Sequence, residues 1–479
     1  MASAFGQTLQ SRADLRAVVI GAGPAGSVSA AFLARRGFQV DVFERRPQPT
    51  EEQAASYRSY PMLLSMRSLQ SIDCAGLHPA FLDATCFKGR IAVPSGSTMM
   101  YSQSTSHIVH RHQLGMQLIS AAQDAYPGQI RYHFDHQLDA VDFAGQQASF
   151  VGEHKQQASQ HGYDLLIGAD GANSRTRELL QAIDSSFHTT LVSKANCTYK
   201  TFHELPSLPS TEHFYEGFEH HQPYQHMYTM MARGKNPRIR SISMWKNSAG
   251  RMCGMAALFD WHQWGHTPEE LASADFPIPP TWLRAIGQQF DQQEFNPFGR
   301  VIKCSKICGQ RAVLVGDAAH AVTSVMGQGC NTALSTCAAL DRALAASSPS
   351  NPAQLDAALQ KFNAEWLPEA HALQRLEFMA YLARANDKPA RASPLTIFWT
   401  KFLMTTSTFA TMALHKLYPK RFPYAIALFQ ELQEPSVSYT TVMRRIHLRA
   451  AGFAVAAAAV LSIFGFLGRL LISSGLRLL

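Results

Sequence analysis

The sequence predicts an α/β fold in which a parallel β-α-β core is interleaved with a mostly antiparallel sheet, then followed by helices, the last crossing a membrane. Three observations predict it. Apolar runs end in glycine-containing turns at residues 17–26, 165–171 and 313–317. Apolar and polar residues alternate from Thr198 to Phe259, broken by turn-forming stretches. Ala450 to Gly468 is a stretch of 19 uncharged, mostly apolar residues.

A chain of 479 residues with 46% hydrophobic and 16% charged content holds enough apolar material for two or three domains with a large core. The net charge of +8 is concentrated at one end: Pro394–Leu479 carries nine Lys or Arg against two Glu, leaving 34 basic and 33 acidic side chains before it. A nucleic-acid binder needs its basic residues spread over a folded face, so no nucleic-acid partner is expected. Eight scattered cysteines without a C-x-x-C pair suit a reducing compartment, and neither they nor the histidines form a metal-ligand spacing.

The first element is the strand Ala17–Ile20, which turns at Gly21 into a helix lined with small residues, followed by a second strand, Phe38–Phe43, ending at Glu44. Gly21 permits the tight turn, Gly23 lets a pyrophosphate approach the backbone, and Gly26 lets helix and strand pack closely. The helix amino terminus then faces the phosphates, and Glu44 stands where a ribose hydroxyl would lie. This is a dinucleotide-binding unit. Next come a helix from about His112 to Ala125, with Arg111 at its start, and an alternating strand with Ile130, Tyr132 and Phe134 on one face. Arg111 is either a phosphate contact or an ordinary surface cation. "YDLLIGADGANSRTREL" repeats the strand, aspartate and glycine turn, with Asp170 as a ligand group or simply a strand terminator. The third strand, Val313–Val315, ends at Gly316-Asp317, and Gly327-Gln328-Gly329 opens the helix that carries Asn331. An aspartate at a strand end accepts hydrogen bonds from sugar or ribityl hydroxyls, and a helix amino terminus stabilises negative charge on a ring system, which together suit a flavin.

These three fingerprints resemble those of the single-component FAD-dependent aromatic hydroxylases, the group A flavoprotein monooxygenases. Within that group the chain is most similar to the kynurenine 3-monooxygenases and related bacterial enzymes of indolic substrates, through "SMRSLQSIDCAGL", "HRHQLGMQLISAAQDAYPGQIRYHFDHQL" and the region around "LYPKRFPYAIALF". The resemblance implies a GR2-type, Rossmann-like FAD-binding domain built from residues 1–78, 109–190 and 296–350. It implies a substrate sheet from 79–108 and 191–295, a helical region at 351–449 and a membrane tail at 450–476. It also implies that Glu44 holds the adenosine ribose, Arg111 the flavin or its phosphates, and the backbone near Leu138 the adenine end. Asp170 and Asp317 would serve cofactor hydroxyls, Gly327 and Gly329 would line the flavin turn, and Cys330 and Asn331 would offer backbone groups to the isoalloxazine.

The chain departs from the family in three places. Ser324 stands where the family has proline, and Ser335 and Thr336 stand where it has an acidic pair. The third departure is the kynurenine carboxylate clamp, an Arg, two Tyr and an Asn, whose approximate positions here hold Asp83, Ser95, Ala383 and Ile426. A buried carboxylate without its cation is costly, which disfavours kynurenine and favours a less acidic aromatic or otherwise apolar small molecule.

The implied reaction consumes NADPH or NADH and molecular oxygen and hydroxylates the substrate through a flavin hydroperoxide, so no protein side chain is named as catalytic. The alternatives are kynurenine hydroxylation itself, a flavin-dependent reductase or dehydrogenase on the same scaffold, and a tethered FAD-binding protein without turnover. Arg444, Arg445 and Arg449 flank the apolar tail and favour a cytoplasm-facing body on the mitochondrial outer membrane or endoplasmic reticulum.

Overall fold

The strand Arg16–Ile20 begins with one exposed residue and continues with four buried ones, as a strand covered on both faces must. It pairs in parallel with Gln39–Phe43 on one side and Leu165–Gly168 on the other. The sheet extends to Ile130–His133 at one edge and, through Ala312–Leu314, to the short antiparallel strand Cys308–Gly309 at the other. The computed structural model describes residues 15–50, 61–83, 86–92, 98–152, 158–194, 197–212, 224–231, 239–247, 249–259, 278–293, 296–297, 299–345, 347–348, 351–384, 393–422 and 427–473. Strand limits differ from the sequence reading by about one residue, within the fraying of element ends. Phe134 falls just beyond its strand.

The helix Pro24–Arg35 starts with proline at its first position, where the missing N–H costs nothing, and buries every residue from Gly26 to Ala34. Its small side chains let Gly329–Leu344 approach closely: the Ser29 hydroxyl donates to Cys337 Sγ at 3.2 Å, and the Cys337 thiol donates to the Ala25 carbonyl at 3.3 Å. Asp341 fastens the far ends of the two helices, accepting from Arg36 Nε at 2.7 Å and from Arg35 at 2.9 Å.

A second sheet of eight strands runs in the order Asn296–Pro297, Cys197–Phe202, Met252–Phe259, Ile239–Lys246, Tyr224–Met231, Cys86–Ala92, Thr98–His110 and Pro61–Leu64. Its neighbours are antiparallel except for Tyr224–Met231 against Cys86–Ala92. Phe202, Met230, Ile242 and Met244 on this sheet pack with Trp282, Ile286 and Phe290 of the helix Pro280–Asp291. Two smaller sheets join Thr189–Lys194 to Arg300–Cys304, and Gln137–Asp142 to Gln147–Val151 and Ala158–Gly162.

The carboxyl-terminal third is helical: Pro352–Arg384, Pro394–Leu417, Ala427–Gln433 and Tyr439–Ser473. The last helix has two regimes. Tyr439, Val442, Met443, Ile446 and Ala450 recur at helical spacing and are buried in the protein body, whereas every residue from Ala451 to Phe466 is exposed. Tyr439–Phe466 contains an 18-residue stretch apolar enough to cross a membrane, with mean hydropathy 1.8 and 6% of that stretch buried. Residues 474–476 of the expected tail lie outside the described residues.

Arg67, itself buried, joins this helical third to the rest. Its guanidinium donates to the Leu432 carbonyl at 2.6 Å and to the Val437 carbonyl, and lies 4.5 Å over the Tyr439 ring. Glu431 receives Arg445 at 3.0 Å and also Arg449, so these two cations before the exposed stretch are held by the body.

Candidate functional site

The turns that follow the parallel strands lie at one edge of the six-stranded sheet, the carboxyl edge where ligands of such sheets collect. Gly21 has φ +101°, donates its N–H to the Phe43 carbonyl at 2.7 Å, and would place an added Cβ 2.6 Å from the Ala169 carbonyl oxygen. A Cβ on Gly26 would overlap the Gly21 carbonyl oxygen, while one on Gly23 would meet nothing within 4 Å. Gly21 and Gly26 are therefore demanded by the chain's own packing. Gly23 is the glycine beside open space.

Glu44 ends the second strand with its carboxylate against this turn, accepting from the Ala22 N–H at 3.0 Å and from the Arg46 N–H at 3.1 Å. Its backbone receives the His136 N–H at 2.9 Å, which brings the chain to Leu138, whose side chain is buried in the main core.

Asp170 sits directly beside Gly21. One of its oxygens, Oδ2, accepts from the Thr176 N–H at 2.9 Å and the Thr176 hydroxyl at 3.1 Å, and so helps start the helix Arg175–Ile183. The other, Oδ1, is buried with no hydrogen-bond partner among the described residues. A buried acceptor in that condition is costly unless something else supplies a donor.

Arg177 links the second motif to the third. Buried itself, it donates to the Ala172 and Ala318 carbonyls, both at 2.8 Å. Asp317 follows Gly316, whose φ of +59° and close approach to Ala25 and Ala333 leave little room for a side chain. Asp317 is reached by solvent, yet desolvation by the surrounding protein raises its pKa above the usual carboxylate value, with Arg111 pulling the other way. The nearby Cys330 thiol is pushed up to about 12, first by desolvation and then by Asp317, with Arg111 again opposing. Arg111, Asp317 and Cys330 therefore share one neighbourhood.

Gly327 has φ +65° and open space where a Cβ would stand, and the helix Gly329–Leu344 begins two residues later. Between them, buried Gln328 has an orphaned Oε1. The Asn331 side chain is saturated internally. Its Oδ1 accepts from the Ser65 N–H at 2.8 Å and the Ser68 hydroxyl at 2.6 Å, and its Nδ2 donates to the carbonyls of Leu63 at 3.0 Å and Gly327 at 2.9 Å. Asn331 is thus a staple that fixes the turn.

Ser335 donates to the Asn331 carbonyl at 2.8 Å, and Thr336 lies 2.6 Å from His320 Nε2, so both side chains are engaged within the protein. Of the four positions of the carboxylate clamp, Asp83 ends the short turn Ala80–Asp83 and Ala383 lies near the end of Pro352–Arg384, while Ser95 and Ile426 lie outside the described residues.

His320, buried behind Asp317, accepts from Trp366 Nε1 at 3.3 Å, and desolvation lowers its pKa to about 4. Above pH 6.5 the ring is neutral whether the chain is folded or unfolded. Between about pH 6.5 and 4 the unfolded chain takes up the proton first, so the folded state loses up to about 3 kcal/mol. Comparing urea midpoints at pH 7 and pH 5 should show His320→Gln flattening this loss. The flattening is partial, because His203, beside His110, is also lowered to about 4 by desolvation. An unchanged pH slope in the variant would exclude His320 as the source.

The FAD binding domain family matches residues 14–373. A curated relative, kynurenine 3-monooxygenase of Xanthomonas axonopodis pv. citri, is 28% identical over 371 residues, covering 76% of this chain and 78% of that protein. The tetrameric form of 2-methyl-3-hydroxypyridine-5-carboxylic acid oxygenase shares the fold with TM-score 0.59 and 17% identity, covering 81% of this chain and 96% of that one. Pseudomonas aeruginosa PqsL, solved with 2-aminobenzoylacetate, aligns with TM-score 0.56 and 16% identity over 78% of this chain and 97% of its own. A family match across three quarters of the sequence, with the glycine turns and aspartates gathered on one sheet edge, leads to one conclusion: the chain belongs to the FAD-binding family of flavoprotein monooxygenases and is an FAD-dependent oxidoreductase.

Proposed function

We propose that this protein is a nicotinamide-consuming monooxygenase that hydroxylates an aromatic or otherwise apolar small molecule other than kynurenine. The observation that carries the cofactor side of this reading is the unpartnered, buried Asp170 Oδ1 beside the glycine turn. FAD fits what stands there: hydroxyl donors for Asp170 and Asp317, and phosphates for the open space at Gly23. The open space at Gly327 and the orphaned Gln328 Oε1 suit the ring end. Glu44 and the backbone near Leu138 would hold the adenosine, Arg111 the phosphates or flavin, and the backbone of Gly329, Cys330 and Asn331 the isoalloxazine.

Bound FAD supplies reduction by NADPH or NADH and activation of molecular oxygen. The chain's own residues orient and insulate. Arg177 holds the second and third turns in register, Asn331 pins the ring-side turn, and the helix amino terminus at Gly329 favours negative charge beside it. Met326, with Val322 and Val325 packed beside it, joins the apolar cluster of the carboxyl-terminal helices, a lining that keeps water from the adjacent turn. Asp83 in place of a clamp cation disfavours an anionic substrate.

The exposed stretch from Ala451, held at its base by Glu431, Arg445 and Arg449, supports a membrane anchor with the body on the cytoplasmic side. The decisive measurement is a screen of neutral aromatic and apolar compounds with reduced nicotinamide under heavy-isotope oxygen, reading product mass. One labelled oxygen atom in a product, formed in step with nicotinamide consumption, is expected. Substrate-dependent nicotinamide oxidation with no label would instead make the protein a reductase or dehydrogenase.

A further inference from the structure

The helix Pro394–Leu417 is built inside out. Thr400, Thr406, Ser407, Ala410 and Thr411 form its buried side at 5–9% exposure, while Leu395, Phe398, Trp399, Phe409, Met412 and Leu417 stand 42–68% exposed. In water this arrangement leaves the apolar side chains unburied. In a bilayer it is the expected one, since small and hydroxyl residues face neighbouring helices and large apolar ones face lipid. The threonine hydroxyls need no water either. Thr406, Thr408 and Thr411 donate to the carbonyls of Phe402, Met404 and Ser407 at 2.6, 2.8 and 2.8 Å.

Position points the same way. Leu403 and Met404 pack against the body's apolar cluster, while Phe409 stacks on Phe453 at 6.4 Å, beyond Ala450, the last buried residue of the anchor helix. The two helices therefore leave the body side by side. Phe398, Trp399 and Phe402 form an exposed aromatic group with ring centroids 5.7–6.4 Å apart, and Lys401 lies among them with an exposed side chain. Aromatic rings with a neighbouring lysine are the usual occupants of the headgroup boundary.

We propose that Pro394–Leu417 is a second membrane-embedded helix, lying against acyl chains beside the anchor, with Phe398, Trp399 and Phe402 at the headgroup boundary. The inference rests on the anchor reading, through continuity with that helix's exposed stretch.

The test uses the full chain, loaded with FAD, in phosphatidylcholine vesicles brominated at the headgroup end of the acyl chain. Bromine quenches tryptophan on contact; Trp245, Trp282 and Trp366 are buried at 5–8% exposure, and Trp261 and Trp264, which lie outside the described residues, are replaced by Phe in the parent chain. Trp399→Phe is expected to remove about half or more of the lipid-dependent quenching, and adding Phe402→Trp in that background is expected to restore it. Retained flavin colour reports that both variants are folded. If the chain floats with vesicles but Trp399→Phe leaves quenching unchanged, this proposal fails and the anchor stands. Should Trp399 instead be shielded by cross-linkable self-association, the face belongs to a second copy and the proposal likewise fails. A chain that does not float overturns both readings.

Discussion

Gly26→Ala is expected to yield protein without bound flavin and with stability lowered by about 2–4 kcal/mol. The added methyl would overlap the Gly21 carbonyl oxygen, and both groups are main chain, so no rotamer relieves the clash. Relief requires the helix Pro24–Arg35 to move off the strand. That movement is opposed by its packing on Gly329–Leu344 and by the Arg35 and Arg36 pairs with Asp341. Gly23→Ala makes the informative control. Its methyl meets no atom of the described residues within 4 Å, so it should melt normally without cofactor while losing flavin affinity. Flavin-to-protein absorbance ratios and thermal melts of both variants decide the matter: a yellow, normally melting Gly26→Ala would show that the turn tolerates what its geometry forbids.

Asp317→Ala is expected to weaken FAD binding by roughly 10–100-fold, the equivalent of one charged hydrogen bond of about 1.5–3 kcal/mol. The Asp317 side chain is exposed to solvent, so removing it should leave the fold largely intact. Titrating deflavinated protein with FAD and following flavin fluorescence measures the change. Desolvation raises the carboxyl's pKa, so wild-type affinity should begin to fall at a pH higher than an ordinary surface carboxylate would give. Asp317→Asn keeps an acceptor but cannot titrate, and its affinity should be flatter with pH. Equal affinity in wild type and Asp317→Ala would remove this residue from the cofactor site.

The parallel core could be read from the sequence because its turns are local. Gly21 and Gly316 need positive φ and Gly26 needs room for a neighbouring carbonyl, and these demands surface as glycines at fixed spacing after apolar runs. The long apolar helix at the carboxyl end was legible for a similar reason, since its signal is a run of contiguous apolar residues. Contacts between distant segments were not. Nothing near Arg177 in the chain says that it will meet the Ala318 carbonyl, and nothing around Asn331 announces Ser65, Ser68 and Leu63. The strands Gln137–Asp142, Gln147–Val151 and Ala158–Gly162 carry no clear alternation in the sequence because Gln, Ser, His and Gly dilute their pattern. Pro394–Leu417 falls within the expected helical region 351–449, but its inverted faces appear only once its neighbours are in place.

The short helix Met66–Cys74 serves two masters. At its start Ser65 and Ser68 grip Asn331, while Arg67 between them clasps the carbonyls of Leu432 and Val437 and covers Tyr439, whose hydroxyl lies 2.8 Å from that of Thr332. Trimming the protein for solubility ahead of Tyr439 would therefore strip a prop from the ring-side turn itself. A cut placed after Ala450 keeps that brace whole.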